Sequence, residues 1–197
     1  MSQVVALLGT SADPPTLGHQ RLLEQLLQRY PLVVTWASDN PAKQHGAPLE
    51  LRAQMLTALV QQLHNPRLLH VQELSSPWAI TTLERAAQRW PEAQLVFVVG
   101  SDLAADIPRW RQAAAVLQRS RLVVVPRGGW PLQAETTATL EQLGAQVEVL
   151  PLSVPATASS ALRQQIDASQ IPVAVWPLLH AHHLYGLALE PQVGQPC

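Results

Sequence analysis

Residues 4–27 read VVALLGTSADPPTLGHQRLLEQLL, and three textures follow one another along that stretch. The first, VVALL, is continuously apolar and rich in branched side chains, as a strand buried on both faces requires. The last places leucines at 22, 23, 26 and 27, one stripe of a helix. Between them lies a turn crowded with Gly9, Asp13, Pro14, Pro15, Gly18 and His19. Gly9, lacking a side chain, is expected to end the strand and leave the backbone open to a ligand. The two prolines fix φ and remove amide donors, which stiffens the turn. A helix that begins near Gly18 and His19 aims its free N–H groups, and the positive end of its dipole, at the strand's carboxyl end. The unit predicts a phosphate pocket with an imidazole beside it.

The same alternation continues downstream. Short apolar runs begin at Val4, Leu32, Leu68, Leu95, Arg121 and Gln146, and stretches of helical period separate them. Leu51, Met55, Leu56, Leu59, Val60 and Leu63 form one stripe, Leu83, Ala86 and Ala87 another, Trp110, Ala113, Ala114 and Leu117 a third, and Leu140 with Leu143 a weaker one. Strand and helix in alternation predict an α/β fold with a doubly wound, mostly parallel sheet, followed by C-terminal helices. A single domain over residues 1–189 is expected, with 190–197 as a frayed tail. Ligands of such sheets bind beyond the carboxyl ends of the strands, where strand order reverses. The opening turn lies at that rim.

Composition narrows the function classes. The 197 residues carry 13 Lys+Arg against 14 Asp+Glu, a formal charge of -1, with no basic stripe. Nucleic acid and anionic membrane surfaces are therefore disfavoured as partners. No window approaches a membrane span and no signal peptide is evident. The one cysteine, Cys197, leaves no internal disulfide, which suits a reducing cytoplasm. The histidines of HAHH, residues 180–183, are read as helix-end residues that complement the dipole, and no metal site is assigned.

The turn GTSADPPTLGH, from Gly9 to His19, resembles the G-G-[ST]-F-[DN]-P-x-[HT]-x-G-H motif of nucleotidyltransferases, in the subgroup of nicotinate-mononucleotide adenylyltransferases. Further segments follow in the same order. DNPAK and LELRAQML resemble the N-P-x-K and R-x-x-M segments. The region from Trp78 to Arg127 resembles the strand, G-x-D turn and tryptophan helix, and TASSALRQQI resembles I-S-S-T-x-I-R. The resemblance spans about residues 3 to 187. It implies a Rossmann-like nucleotidyltransferase fold and transfer of AMP from ATP to nicotinate mononucleotide, with Mg²⁺ carried mainly on the ATP phosphates. A homo-oligomer is compatible with it.

The resemblance also implies roles. His19, Thr16, Lys43 and Arg163 would act on the reacting phosphates. Gly9, Thr10, Ser11, Gly18, Gly100, Asp102, Ser159 and Ser160, with His19 and Arg163, would bind ATP. Trp78, Ala79, Thr82 and Trp110 would receive the pyridine nucleotide. Arg52 and Met55 are expected to hold their helix in place, and Asp13 to accept turn hydrogen bonds. Four departures from the commonest form stand out: Ala12 for Phe, Thr16 where most members carry the first His, WAITT for Y-T-x-D-T, and Thr157-Ala158 for Ile-Ser. Thr16 and Ala79 speak for nicotinamide mononucleotide as an alternative acceptor. The accumulated losses speak for a catalytically weak nucleotide-binding paralogue.

Overall fold

The computed structural model describes residues 3–41, 43–151, 163 and 166–187. All six apolar runs form strands: β1 (Val4–Thr10), β2 (Leu32–Ala37), β3 (Leu68–His70), β4 (Gln94–Gly100), β5 (Arg121–Val125) and β6 (Val147–Val149). They pair in parallel in the order β3-β2-β1-β4-β5-β6. The helices are α1 (Leu17–Arg29), α2 (Leu49–Gln62), α3 (Ala79–Arg89), α4 (Ser101–Ala104), α5 (Ala113–Arg119), α6 (Ala134–Gln142) and α7 (Trp176–Ala181).

The continuous hydrophobicity of the strands is explained by helices on both faces. Ala6, Leu8, Val33, Val96, Val98 and Val123 face one core, which they share with Leu22, Leu23 and Leu26 of α1, Met55, Leu56 and Leu59 of α2, and Leu179 of α7. Val5, Leu7, Val34, Phe97, Val99 and Val124 face the other, with Ile80 and Leu83 of α3, Val116 and Leu117 of α5, and Leu140 of α6. Each valine, leucine, isoleucine, methionine or phenylalanine among them contributes about 1.5–3 kcal/mol by leaving water. Strand order reverses between β1 and β4, so the rim beyond Thr10 and Gly100 is the crevice where this topology receives ligands.

Three local expectations are corrected. The third run is a strand only over Leu68–His70, because the chain then tightens into a 3₁₀ turn, Gln72–Leu74, that buries Leu74. The Gln72 carboxamide closes the end of β2 by donating to the Ala37 carbonyl at 2.9 Å and accepting from its N–H at 3.0 Å. The helix expected from Trp110 starts at Ala113, since Gln112 adopts a left-handed conformation, φ 56°, that an α-helix excludes. Gly9 neither ends β1 nor opens the backbone to a ligand. The strand runs on to Thr10, and the space beside Gly9 is filled by the Trp36 indole of the neighbouring strand. The reading of 190–197 as a tail, and Ser159 and Ser160 of the expected phosphate grip, lie outside the described residues. Among the described residues no helix is long and apolar enough to cross a membrane.

A Cβ placed on Gly9 would lie 2.8 Å from Cζ2 of Trp36, and the indole is itself buried and cannot swing away. Gly9→Ala should therefore lower the unfolding free energy by about 1–3 kcal/mol, the usual cost of overpacking, when measured by urea denaturation.

Candidate active site

The turn after β1 is organised by a buried acid. Asp13 is fully inaccessible, and its carboxylate gathers groups from three distant parts of the chain. Oδ2 accepts the Gly46 N–H at 2.7 Å and Oδ1 accepts the Ala47 N–H at 3.1 Å and the Tyr185 hydroxyl at 2.5 Å. Arg163 donates to Oδ2 at 3.3 Å, and His45 lies 3.6 Å from the same oxygen. Burial, and then the bond to Asp13, raise the pKa of the Tyr185 phenol, which stays protonated and can donate. Gly46 is required at its position because a Cβ there would meet Cδ of Arg163 at 2.7 Å and Cε1 of Tyr185 at 2.9 Å. Arg52, also buried, performs the complementary task from α2. Its guanidinium donates to the carbonyls of Ser11, Ser38 and Ala47 at 2.8, 2.9 and 3.1 Å. Arg52 thus ties the loops after β1 and β2 to the start of α2, as the sequence suggested.

Thr16 is the N-cap of α1, and His19 completes a reciprocal capping box. The Thr16 hydroxyl accepts the His19 N–H at 3.4 Å, while Nδ1 of His19 accepts the Thr16 N–H at 3.0 Å. The Thr16 hydroxyl also lies 2.9 Å from Nδ1. A histidine therefore occupies the place usually taken by Glu or Gln in such a box. Because Nδ1 faces a backbone donor, the neutral ring carries its proton on Nε2, which becomes a hydrogen-bond donor. Although the ring keeps some solvent access, desolvation, followed by the charges of Arg127 and Lys43, lowers its pKa from 6.5 to about 4. At neutral pH His19 is uncharged and donates.

The positive charge around it comes from other elements. Lys43 is exposed, yet the atoms crowding it lower its pKa through desolvation, with Asp102 opposing and Arg127 and Arg163 adding to the effect. His19 and Lys43 both lie within the field of Arg127, so the loops after β1, β2 and β5 converge. Asp102 does not cap α4. Its Oδ2 accepts Nη1 of Arg127 at 2.8 Å, and Gly100 is the N-cap. Arg127 was absent from the sequence-derived site. Its position immediately beyond β5, at the same rim as Gly100, is the signal that could have found it.

On the far side of the rim, Trp78 is the N-cap of α3 and is 45% exposed, with the Arg111 guanidinium 5.4 Å from its ring centroid. Trp78 supplies no capping hydrogen bond, so the side chain leaves the first N–H groups of α3, including that of Ala79, uncapped. Thr82 is buried and its hydroxyl donates to the Leu74 carbonyl at 2.9 Å, which braces the 3₁₀ turn. Trp110 is half-buried and meets Phe97 edge-on, ring centroids 6.2 Å apart. Gly18 lies in the first turn of α1, and Thr10 and Ser11 lie partly exposed at the end of β1.

Residues 7–171 match the family described as cytidylyltransferase-like. The chain belongs to that family. A protein of Synechocystis named probable nicotinate-nucleotide adenylyltransferase is 35% identical over 92% of this chain and 98% of its own length. One of the same name from Thermus thermophilus is 28% identical over the same shares. Among solved structures, the nicotinic acid mononucleotide adenylyltransferase of Plasmodium falciparum complexed with NaAD superposes with a TM-score of 0.73 at 17% identity, over 95% of this chain and all of that one. In this chain Lys43, Arg127 and Arg163 lie at the rim around β1 and β4, and Asp13 and the α1 cap hold the turn there in shape.

Two outcomes follow from this geometry. Asp13→Ala strands Arg163, the Tyr185 hydroxyl and two backbone N–H groups, and should cost about 3–5 kcal/mol in chemical denaturation, as breaking a buried pair does. His19, with a folded pKa of about 4 against 6.5, binds fewer protons when folded than when unfolded between those values. Its contribution to stability is therefore complete above about pH 6.5 and is lost as pH falls toward 4. The acid-side fall in unfolding free energy should be shallower in His19→Asn, and ¹⁵N spectra of the native ring should show the Nε2–H form throughout neutral pH.

Proposed function

We propose that the protein transfers AMP from ATP to nicotinate mononucleotide, releasing pyrophosphate and forming nicotinate adenine dinucleotide in the synthesis of NAD. The observation that carries this reading is the convergence of His19, Lys43, Arg127 and Arg163 on the loops around the β1–β4 switch point, in a chain whose nearly full-length relatives bear that activity in their names.

The 5′-phosphate of the mononucleotide has its second pKa near ~6 and is largely dianionic at neutral pH, so the nucleophile needs no general base. An oxygen of that phosphate forms a bond to the α-phosphorus of ATP as the bond to the β-phosphate oxygen breaks. The remaining task is to align two anions that repel each other and to stabilise charge moving onto pyrophosphate. Nε2–H of His19 donates to a phosphate oxygen without needing to be protonated. Lys43 and Arg163 supply charge, Arg163 by leaving Asp13, against which it rests at 3.3 Å. Thr16 contributes through the α1 cap, and Thr10, Ser11 and Gly18 through their backbone. Ser159 and Ser160 would add donors to the triphosphate.

Mg²⁺ would travel on the triphosphate and neutralise part of its charge. Its ligands would be mainly phosphate oxygens and water, with few from the protein. We take residues 1–189 as one catalytic domain working in the cytoplasm.

For the acceptor, the uncapped N-terminus of α3 beside Trp78 and Ala79 offers backbone N–H groups to a pyridine carboxylate, and the Arg111 cation nearby favours the acid. Trp110 offers an aromatic edge or face to the ring. Thr82 supports the site from beneath α3. The lost side chains at Ala79 and Thr81 favour the amide as the second reading.

Pyrophosphate release by purified protein with ATP, Mg²⁺ and each mononucleotide tests this directly. Turnover is expected with the acid in preference to the amide, and His19→Ala should lower kcat by at least about 100-fold, the loss typical of removing one preorganised donor. Exclusive use of the amide would overturn the choice of acceptor, and full activity of His19→Ala would overturn the role of the imidazole.

A further inference from the structure

The two oxygens of Asp102 have unequal surroundings. Oδ2 accepts Nη1 of Arg127 at 2.8 Å, whereas Oδ1 is buried with no hydrogen-bond partner. An unsatisfied buried carboxylate oxygen is costly until a donor reaches it. Asp102 follows directly on β4 at the switch point, and its Oδ1 occupies the space that a side chain on Gly100 would need.

Arg127 is held from below, independently of its side chain. Its N–H donates to Oγ of Ser101 at 2.9 Å, and Ser101 in turn donates to the Trp130 carbonyl at 2.6 Å. Arg127 and Trp130 also form an antiparallel bridge around the Gly128–Gly129 turn, where Gly129 takes φ 80°. The loop after β5 is thereby pinned to the first residue of α4, and the guanidinium reaches across to the loop after β4. The pair is partly exposed, 30% for the Arg127 side chain and 18% for that of Asp102, so folding gains little from the ion pair itself. What the pair does accomplish is to fix which carboxylate oxygen remains free.

We propose that Arg127 is a positioning residue for the nucleotide: by holding Oδ2 of Asp102 it keeps Oδ1 as the free acceptor for a ribose hydroxyl of ATP. This rests on the reading of the rim as an ATP site and extends it to a residue to which the resemblance assigned no role. Removing the guanidinium lets the carboxylate turn, and the hydroxyl loses its acceptor. An Arg127 that merely added positive charge for the phosphates, or merely braced the loop, would affect all adenine nucleotides alike.

The test is calorimetric binding of ATP and of 2′,3′-dideoxy-ATP to the wild-type protein, Arg127→Ala and Arg127→Lys, with circular dichroism to confirm folding. The wild type should prefer ATP by roughly 10- to 100-fold, the worth of a hydrogen bond to a charged acceptor. In Arg127→Ala the preference should shrink to less than about 3-fold, and Arg127→Lys should fall between; should the alanine variant not fold, the lysine variant carries the comparison. A preference that stays at the wild-type level, or rises, overturns the inference while leaving the ATP site intact. A wild-type protein that does not bind ATP overturns both. Because no acceptor is present, failure of the mononucleotide assignment leaves this measurement unaffected.

Discussion

A single buried carboxylate holds the rim together. Asp13 lies in the turn between β1 and α1, yet its partners come from residue 46, residue 163 and residue 185. An ionised carboxylate without access to water is tolerable only when its lone pairs are occupied, and here backbone N–H groups, a phenol and a guanidinium occupy them. The consequence is mechanical. The turn that carries Thr16 and His19 cannot shift without disturbing the segment before α2 and the C-terminal segment that closes over it. Arg52 repeats the logic with opposite charge, binding three carbonyls from below.

On this frame the site separates two tasks that one residue type could not perform together. His19 is kept neutral by burial and by the cations around it, and its proton is fixed on Nε2 by the cap hydrogen bond to Nδ1. It offers direction. Lys43, Arg127 and Arg163 offer charge, and their mutual repulsion in the absence of an anion is offset by Asp13 and Asp102. An anion arriving at the rim would take the place of Asp13 as partner of Arg163, while Arg127 stays on Asp102. The positions that depart from the family motif fit this division. Thr16 retains a capping role in which its hydroxyl and backbone N–H both serve the imidazole, and the small Ala12 is fully buried at φ 48° in the packed turn.

The strands were legible because their chemistry is local: a run of branched apolar residues can be buried on two faces only in the interior of a covered sheet, and all six such runs are strands. Thr16, His19, Gly100 and Asp102 could be placed at the rim from the sequence because motif spacing ties them to strand ends. Gly9 shows where local reasoning misled. The absence of a side chain was read as room for a ligand, but that space is filled by Trp36 of the adjacent strand. Arg127 and Tyr185 were not legible as site residues, since an arginine after a strand and a tyrosine near the end of a chain resemble many others until their partners are known.

Sequence alone determined the alternation of strands and helices, the parallel sheet and the stiff turn at the carboxyl end of β1, because periodicity, glycine, proline and capping act over a few residues. Only the tertiary structure decided which charges meet. The pairings of Asp13 with Arg163 and Tyr185, and of Asp102 with Arg127, bridge separations of 150, 172 and 25 residues. Electrostatic energy and desolvation depend on distance in space and on buried surroundings, neither of which is written in the order of the chain.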